Sequence, residues 1–527
     1  MSTKTTDESK CESALVPRTG MVESSSNFEN TIKPSEEFVE FFKLTYTFSK
    51  DPSKFSKKQI KTIEIKMDKL FHKVINSQNT KFENIIALAY ICQHICFAYI
   101  KLGQTEKLSV AKDSILCSLH LIKDKQLDPK IILLTLKANS HLGHVYYKQQ
   151  KLGKAIEALD KAVDLYFIYM EEHSEYDIPI DYQDIIIKSV QIKNGYSKLK
   201  SIYKHILRTL TDVHTQMGSK TNESFILSRH LLLMEELNSL QTFKEHIQWI
   251  EKAMTVCNYL IMCNRFGEAE SYIDRTFVVQ KKIDIKFNDI TGKETLLKEL
   301  RLYEQCFGTY KLITLCHAKL AVALFRYSVE RLLRLEKNED SKANNSTTKY
   351  PSKSKEQPSR RLLIFTQNEK AYFDKNTHRN MYPSMYILNH NKVQKYFITI
   401  LNVIYKSKLF FIPSDINTYI PFTLCISNIY KYIAFYEKDT ASRFLLQKRR
   451  AEILERAVNI LGDKNGCKLL RLLWLQLTIA YSTLIDMKVE EAVPIPYLSE
   501  RHDTLVDEIN VLVENGLIFL RKHMYYK

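Results

Sequence analysis

The sequence contains one tight cluster of residue types that bind metals, namely Cys92, His94 and Cys96. On a helix, Cys92 and Cys96 would share a face because residues four apart are neighbours, whereas His94 would point elsewhere. A zinc site would need a further pair of ligands, and none follows at a suitable spacing. The ten cysteines are scattered, mostly in apolar stretches, where a reduced thiol behaves as a small hydrophobic group. We therefore expect no metal site.

Catalytic motifs are also missing from the sequence. The chain has only 12 glycines, and they form neither a G-x-G-x-x-G turn nor a Walker loop that could cradle phosphates. There is no His-Glu-x-x-His motif, no nucleophile elbow and no recognisable pair of carboxylates. A site can assemble from distant residues, so an enzyme stays open as an alternative. The residue types favour a binding protein without a cofactor.

The basic run Lys448, Arg449 and Arg450 is the densest local charge in a predicted helix. It could contact an acidic partner, but nearby carboxylates offer a structural interpretation. Asp439 and Glu452 could pair with these cations on the same helix or the next one. Such surface pairs contribute only about 0.2–0.5 kcal/mol each, and we favour this structural role.

The whole chain is basic, with 77 Lys and Arg against 60 Asp and Glu and a formal net charge of +17. An excess of this size favours nucleic acid, a membrane surface or an acidic protein as partner. No recognition helix, zinc finger or RNP-type motif supports nucleic acid. The charge is spread along the predicted helices, so a solvated basic face is an equally good interpretation.

Targeting signals and membrane spans are not evident in the sequence. The N-terminus has no apolar core of the kind that a secretory signal needs. No window reaches the roughly 20 apolar residues that cross a bilayer. The nearest, residues 85–100, is interrupted by Gln93 and His94, and we expect it to be a buried helix. We predict a cytoplasmic protein with no membrane insertion.

These features sit in a chain that is organised around residues 132–170, which have the pattern of two antiparallel helices joined at 149–154. Gly143 in the first helix lets the second approach its backbone closely. The second helix carries a stripe of small and large apolar residues at helical spacing: Ala155, Leu159, Ala162 and Tyr166. These offsets match the tetratricopeptide (TPR) signature, with Asn139 in the position usually held by Trp. An ordinary hairpin from another helical bundle is the alternative.

One such hairpin cannot bury its apolar face alone, so it predicts neighbouring hairpins. We expect a disordered tail over residues 1–35 and a TPR-like solenoid over 36–335. A flexible polar loop is predicted over 336–361, and a C-terminal helical subdomain over 362–527. Within these regions we predict one long helix over 185–217 and a TPR-like turn at 486–489.

Several blocks of the sequence resemble the KIF-binding protein family, TPR-like proteins that bind kinesin motor domains. The most specific block is YKYIAFYEKDTASRFLLQKRRAEILE at 430–455, followed by LQLTIAYSTLIDMKV at 475–489. Two others are at 142–172 and 249–269. The resemblance implies an all-α fold, a right-handed TPR-like α-solenoid of long antiparallel helix pairs in two subdomains. It also implies binding of kinesin heads through their microtubule-binding face, which would inhibit microtubule-based transport, including that of developing neurons.

The resemblance places the motor in a groove lined by the first helix of each pair, where residues three or four apart share a face. This spacing and the family pattern give six candidate partner-binding residues, namely His144, Thr209, Asp212, Met254, Thr255 and Asn258. Thr255 matches the family, whereas the family has an aromatic residue and an amide where this chain has Thr209 and Asp212. Because the track-binding face of a motor is basic, we expect the groove to be neutral or acidic.

The partners implied are therefore kinesin motor domains, kinesin-3-like and others, bound by a cytoskeleton-associated protein. No coiled-coil seam is visible, and we expect a monomer. Two other functions stay open. One is a generic TPR adaptor for peptide ligands, and the other is a basic scaffold that binds acidic tubulin tails directly. Salt dependence separates the last from the others, because charge contacts weaken steeply as salt rises.

Overall fold

The structure is a computed structural model of the 527-residue chain. It describes residues 34–525 except for 78, 104, 173–177, 188–194, 219–222, 291–295, 337–362, 364–389, 408–410, 463–467 and 494–499. Every regular element within these ranges is a helix. The predicted all-α fold of long TPR-like helix pairs is confirmed.

The chain forms two compact units, which we call unit 1, ending at Met217, and unit 2, beginning at Gly218. The described helices of unit 1 are α1 Glu36–Lys50, α2 Lys57–Ile75, α3 Phe82–Leu102, α4 Leu108–Leu121, α5 Ile132–Lys148, α6 Leu152–Glu172, α7 Tyr182–Ile187 and α8 Gly195–Gln216. Those of unit 2 are α9 Glu223–Leu237, α10 Phe243–Met262, α11 Phe266–Ile290, α12 Leu296–Glu336, α13 His390–Ser407, α14 Ile416–Tyr436, α15 Thr440–Leu461, α16 Lys468–Ala492 and α17 Glu500–Tyr525.

The predicted boundaries can be compared with these units only in part. The division between the units falls at Met217 and Gly218, inside the predicted 36–335 solenoid. Most of the predicted tail (1–33) and of the predicted loop (337–361) lies outside the described residues. Disorder and flexibility of those two segments therefore stay predictions.

The α5/α6 hairpin has the packing that the TPR pattern predicts. Ala155, Leu159, Ala162 and Tyr166 are all buried on one face of α6. A Cβ atom added to Gly143 would lie 2.7 Å from Cγ of Leu159 and 3.3 Å from the carbonyl oxygen of Ala155. The two helices can approach this closely only because residue 143 has no side chain. The glycine predicted to allow close approach does so.

The turns of two hairpins have the same backbone geometry. After α5, Gln150 adopts φ 60° and the amide of Lys151 donates to the carbonyl of Tyr146 at 2.9 Å. After α10, Asn264 adopts φ 57° and the amide of Arg265 donates to the carbonyl of Leu260 at 2.9 Å. This six-residue closure with a left-handed residue is the Schellman pattern, which satisfies the last helical carbonyls.

Two sequence predictions about helix limits differ from the structure. The predicted helix over 185–217 is represented by α7 and α8, and residues 188–194 lie outside the described part. A Cβ at Gly195, the first residue of α8, would lie 1.8 Å from the carbonyl oxygen of Pro179, so this helix start requires glycine. The predicted turn at 486–489 is wrong, because α16 continues to Ala492. Neither glycine nor proline occurs there to end a helix.

Each described core lies within one unit. A core of α1–α7 in unit 1 includes Phe42, Tyr90 and Leu134. In unit 2, one core spans α9–α14 around Trp249 and another spans α14–α17 around Trp474. Trp249 is fixed by its indole N–H, which donates to the carbonyl of Leu233 at 2.9 Å. The helices of each unit are therefore held by their own apolar contacts.

Two helical stretches, Phe82–Leu102 and Leu297–Arg334, are long and apolar enough to cross a membrane. In the most apolar 18-residue stretch of each, 72% and 61%, respectively, is buried inside the protein. Core helices of globular proteins pass the same length and composition test, because a helix that is apolar all round is usually buried. The predicted burial of residues 85–100 is thus observed, since this stretch lies within α3.

Candidate partner-binding surfaces

In unit 1, the partner-facing positions predicted on α5 and α8 lie on two helices that contact each other. Residues 137, 141, 144 and 148 follow one face of α5, and residues 201, 205, 208 and 212 follow one face of α8. Both sets have the 3–4-residue spacing of a single helical face. Each face follows from the helical periodicity of the sequence, because the apolar positions of α5 and α8 are buried and leave the polar positions on the other side.

A small cleft of about 190 Å³ opens between these faces. We call it the histidine cleft, and its lining consists of Lys137, Ser140, His141, Ser201, Ile202 and His205. The adjoining α3 contributes Phe97, whose ring stacks on His141 with centroids 5.2 Å apart. Lys101 lies over the same phenyl ring at 4.7 Å. The surface around the cleft is therefore polar and aromatic.

The electrostatics of the cleft keep its imidazoles neutral near pH 7. Burial lowers the pKa of His141 to about 3, and Lys137, His144 and His205 lower it further by repulsion. Burial and Arg208 also lower the pKa of His205, against an opposing effect of Asp212. No carboxylate is among the described lining residues, although the Lys137 ammonium pairs with Asp181 at 3.3 Å. The cleft lining is thus nearly neutral and not acidic, and a neutral or acidic motor-binding groove stays a prediction.

The carboxylate of Asp181 anchors one edge of this region. Burial alone would raise its pKa, but Lys137 and Lys198 reverse this and lower the pKa to about 2. The Lys198 ammonium lies 2.9 Å from Asp181, and the Tyr90 hydroxyl donates to the same carboxylate at 2.9 Å. This fully satisfied network fixes Lys137 at the rim of the histidine cleft.

Three of the predicted site residues surround the histidine cleft. His144 is half-buried one turn beyond His141, and its pKa is lowered by burial, by Lys148 and by His205. Thr209 is half-buried, and its hydroxyl donates to the carbonyl of His205 at 3.0 Å. Asp212 is exposed at the next turn of α8. The structure therefore brings these three to one surface of unit 1.

The three predicted residues of unit 2 have different environments. Met254 is 1% exposed and packs in the core around Trp249, so the prediction that it faces a groove is wrong. Its position on α10 points toward α12, as shown by the Cys316 thiol, which contacts the Met254 carbonyl at 4.0 Å. Asn258 is half-buried and accepts from the Lys319 ammonium at 3.3 Å. Only Thr255 is exposed.

The residue types singled out for metal or charge chemistry have structural roles. Cys92 and Cys96 are completely buried in unit 1, and burial raises the pKa of both thiols. Within the described ranges, no group of three or more His, Cys, Asp or Glu side chains is arranged to hold a metal ion. Arg449 pairs with Glu452 at 2.9 Å, one of the two partners expected. Asp439 instead caps α15 by accepting from the Ser442 amide at 2.8 Å.

Sequence reasoning missed the residues that form the histidine cleft. Lys137, His141 and His205 carry no motif. Only their spacing of three, four or seven residues from His144, Thr209 or Asp212 pointed to a shared face. The stacking of Phe97 on His141 joins two helices that are far apart in sequence. A contact of this kind has no sequence signature.

The long helical hairpins, with the TPR-like packing of α5 on α6, define a helical-repeat protein. A family model described as "KIF-1 binding protein C terminal" matches residues 247–522, more than half of the chain. The chain belongs to the KIF-binding protein family.

Relatives with similar sequences extend the comparison beyond the family model. The KIF-binding protein of Danio rerio is 21% identical over 440 residues, covering 80% of this chain and 66% of the relative. That of Drosophila melanogaster is 21% identical over 413 residues, covering 76% of this chain and 64% of the relative. The human KIF-binding protein is 21% identical over 468 residues, covering 84% and 70%. The chain thus spans just under two thirds of the length of the first two relatives.

Among solved structures, the apo form of RapI aligns with 92% of this chain and 98% of its own at 13% identity. The TM-score is 0.27, too low to support any conclusion about the arrangement of the helices.

Proposed function

We propose that this protein binds kinesin motor domains and occupies their microtubule-binding face, so that bound motors cannot attach to their track. The observation that carries the proposal is the family match over residues 247–522, together with relatives that are named KIF-binding proteins. Inhibition would then be steric competition, with no chemical change in the motor. The protein would act as a cytoplasmic, cytoskeleton-associated monomer with kinesin-3-like heads among its partners.

The surface of unit 1 that includes the histidine cleft, Thr209 and Asp212 supports the proposal by its chemistry. A motor's track-binding face must be basic, because tubulin is acidic. The lining of the histidine cleft is nearly neutral at pH 7 and has Asp212 beside it. A chain with a net charge of +17 needs such a region if it is to accept a basic partner, since like charges across an interface oppose binding.

The test is microtubule co-sedimentation of purified kinesin-3-type motor heads, with and without the full chain, at low and moderate salt. We expect the heads to move to the supernatant as a one-to-one complex at both salt concentrations. If the heads stay on microtubules across several kinesin classes, the proposal is wrong.

A second outcome of the same experiment would support the basic-scaffold alternative, which the net charge of +17 favours. In that case the protein itself pellets with microtubules and is released as salt rises, because screening weakens contacts with acidic tubulin tails. Motor heads would then stay on their track.

Placing a positive charge at the exposed candidate residues makes the test specific. Asp212→Lys in unit 1 and Thr255→Lys in unit 2 each place a cation where a basic partner face would lie. We expect each to weaken the motor complex about tenfold, or about 1.4 kcal/mol. Asp164→Lys, on an exposed position of α6, makes the same charge change as Asp212→Lys and should leave binding unchanged. If Asp212→Lys and Asp164→Lys had equal effects on binding, Asp212 and its face of α8 would not be part of the motor interface.

A further inference from the structure

Arg450 of α15 is a buried cation for which the described residues supply no counter-charge. Its side chain is 1% exposed, and its Nη1 atom donates to Oε1 of Gln447 at 3.3 Å. Its Nε and Nη2 atoms are buried and have no hydrogen-bond partner. These two atoms form one edge of the guanidinium group, the edge that presents two parallel N–H donors. The Nε/Nη2 edge of the Arg450 guanidinium therefore makes no hydrogen bond with the described residues.

Arg265, another buried arginine of unit 2, has the carboxylate partner that Arg450 does not have among the described residues. Arg265 is 8% exposed, and its Nε atom donates to Oε1 of Glu268 at 2.8 Å while Nη2 contacts the second carboxylate oxygen. Burial alone would lower the pKa of Arg265, but Glu268 and Glu223 raise it. Burial instead lowers the pKa of Arg450 to about 10, with only a small opposing effect from Tyr432. One buried guanidinium has a carboxylate, and the other lacks one.

The charges that act on Lys431 and Tyr432 of α14, two residues that interact electrostatically with Arg450, are mostly positive. Lys431 of α14 is exposed, and its pKa is lowered by burial of part of the side chain and then by Arg450. The charges that act on neighbouring Tyr432 are those of Arg326, Glu330 and Arg450. Glu330 is the one carboxylate in this described set, and it faces Arg326 at 3.8 Å. In this set the cations Arg326, Lys431 and Arg450 therefore outnumber the single carboxylate.

A buried charge of this kind is costly. Removing the partner of a buried ion pair is strongly destabilising, because the remaining charge is neither hydrated nor compensated. An isolated buried donor without an acceptor adds a further penalty. An anion bound to Arg450 would compensate the buried charge and would accept hydrogen bonds from the two unsatisfied donors. Two parallel N–H donors fit the two oxygens of a carboxylate or phosphate, which is the geometry that arginine recognises best.

We propose that Arg450, Gln447 and Lys431 form an oxyanion-binding site between α14 and α15 of unit 2. The guanidinium edge holds two oxygens of a carboxylate or phosphate group. Lys431 is exposed on α14, and its ammonium is near enough to Arg450 for the two charges to repel each other, so an anion there would stabilise both. The same chemistry is offered by an acidic side chain of a bound polypeptide and by a free inorganic oxyanion. The proposal stands on unit 2 alone and does not depend on motor binding.

The experiment measures the urea unfolding midpoint of the full chain, followed by tryptophan fluorescence, as inorganic phosphate replaces chloride at constant ionic strength. The wild-type protein should show a saturable rise in midpoint, because an anion that binds the folded state stabilises it by mass action. In Arg450→Met the half-saturating phosphate concentration should rise about tenfold or more, the loss expected for a charge-assisted contact. Arg456→Met, an exposed arginine of the same helix, should respond like the wild type.

The control also removes the general effect of phosphate on stability, which arises from its exclusion from protein surfaces and is common to all variants. A second prediction distinguishes a site from a structural contact. In chloride alone, Arg450→Met should be at least as stable as the wild type, because it removes an uncompensated buried charge while keeping similar volume. A structural contact would make the same variant less stable.

Arg450→Lys provides a second variant that keeps the charge but loses the two-donor edge, and it should also weaken the phosphate response about tenfold. Repeating the titration with a hexaglutamate peptide, and with hexaglutamine as its control, identifies the source of the anion. A response that depends on Arg450 with hexaglutamate indicates an acidic polypeptide, and one with phosphate alone indicates a free oxyanion. If neither probe gives a response that depends on Arg450, the site does not exist.

Discussion

At the scale of single residues, the stability of unit 1 depends on histidines that are buried without charge. His94 is 7% exposed, and its ring lies edge-on to Phe42 with centroids 4.8 Å apart. Its Nδ1 atom is 3.3 Å from the Thr45 hydroxyl. Burial lowers its pKa from 6.5 to about 4, with opposing contributions from Gln183 and Asp181 and a further lowering by Lys137.

This shift has a definite sign. Between the folded pKa of about 4 and the ordinary value of 6.5, the unfolded chain binds more protons than the folded one. The contribution of His94 is therefore fully present above 6.5 and is lost as the pH falls toward 4. We expect His94 to account for about 2 kcal/mol of lost stability at about pH 5.

The measurement compares urea unfolding of the wild type with His94→Gln at about pH 7.5 and about pH 5. The variant should lose less stability between the two pH values, by about 2 kcal/mol. His72→Gln changes an exposed histidine of α2 and should keep the wild-type pH dependence. If all three proteins respond equally to acid, His94 is not the titrating group.

Residue-scale prediction from the sequence succeeded where periodicity decides burial and failed where tertiary contacts do. The stripe from Ala155 to Tyr166 was predictable because it follows a single helical face. Met254 was not, because its burial depends on α12, a helix distant in sequence. Arg450 was assigned a surface pairing, since a sequence does not show that a charged residue faces the interior.

At the scale of the element, Gly143 shows how a hairpin is closed by the absence of a side chain. A Cβ at this position would meet Leu159 at 2.7 and 2.9 Å. Alanine would favour the helix itself by about 1 kcal/mol over glycine. The clash is with the branched side chain of Leu159, which is completely buried, so it cannot move aside without disturbing its neighbours.

We expect Gly143→Ala to destabilise unit 1 by about 1–3 kcal/mol, the usual cost of overpacking, despite the gain in helix propensity. Gly153→Ala provides the control, because a Cβ there meets nothing within 4 Å. That variant should be neutral or more stable by up to about 1 kcal/mol. Both are measured by urea unfolding followed by circular dichroism, and a neutral Gly143→Ala would mean that α5 and α6 pack less tightly than described.

Helix limits were predictable where capping residues mark them. Thr242 and Glu245 form a capping box that starts α10, with the Glu245 amide donating to Oγ1 of Thr242 at 3.2 Å. The end of α16 was not predictable from the TPR-like residues at 486–489. The helix continues through them, and Lys488 pairs with Glu508 of the packed helix α17 at 2.8 Å.

At the scale of the whole molecule, both tryptophans of the chain lie in unit 2. Trp249 and Trp474 are the two present, and they occupy its separate cores. Tryptophan fluorescence therefore reports unfolding of unit 2, whereas far-ultraviolet circular dichroism reports helices of both units. The two probes distinguish the units without cutting the chain.

Leu134→Ala tests whether each unit unfolds through its own core. Leu134 is completely buried in unit 1, and the substitution should cost about 2–5 kcal/mol there. We expect the circular-dichroism transition to move to lower urea while the fluorescence transition stays in place. Leu477→Ala, in the core around Trp474, should move the fluorescence transition. Coincident shifts of both probes by Leu134→Ala would show that the chain unfolds as one cooperative system.

The matching turns at Gln150 and Asn264 bear on how such a protein can diverge. Each is specified by main-chain hydrogen bonds and by one left-handed residue, which is not glycine in either case. Side-chain identity is therefore constrained chiefly at the left-handed position, where a β-branched residue would be strained, whereas the main-chain hydrogen bonds of the turn can be made by any residue except proline. Two turns with different residues thus share one main-chain hydrogen-bond pattern, so the relation between hairpins is clearer in the backbone than in the sequence.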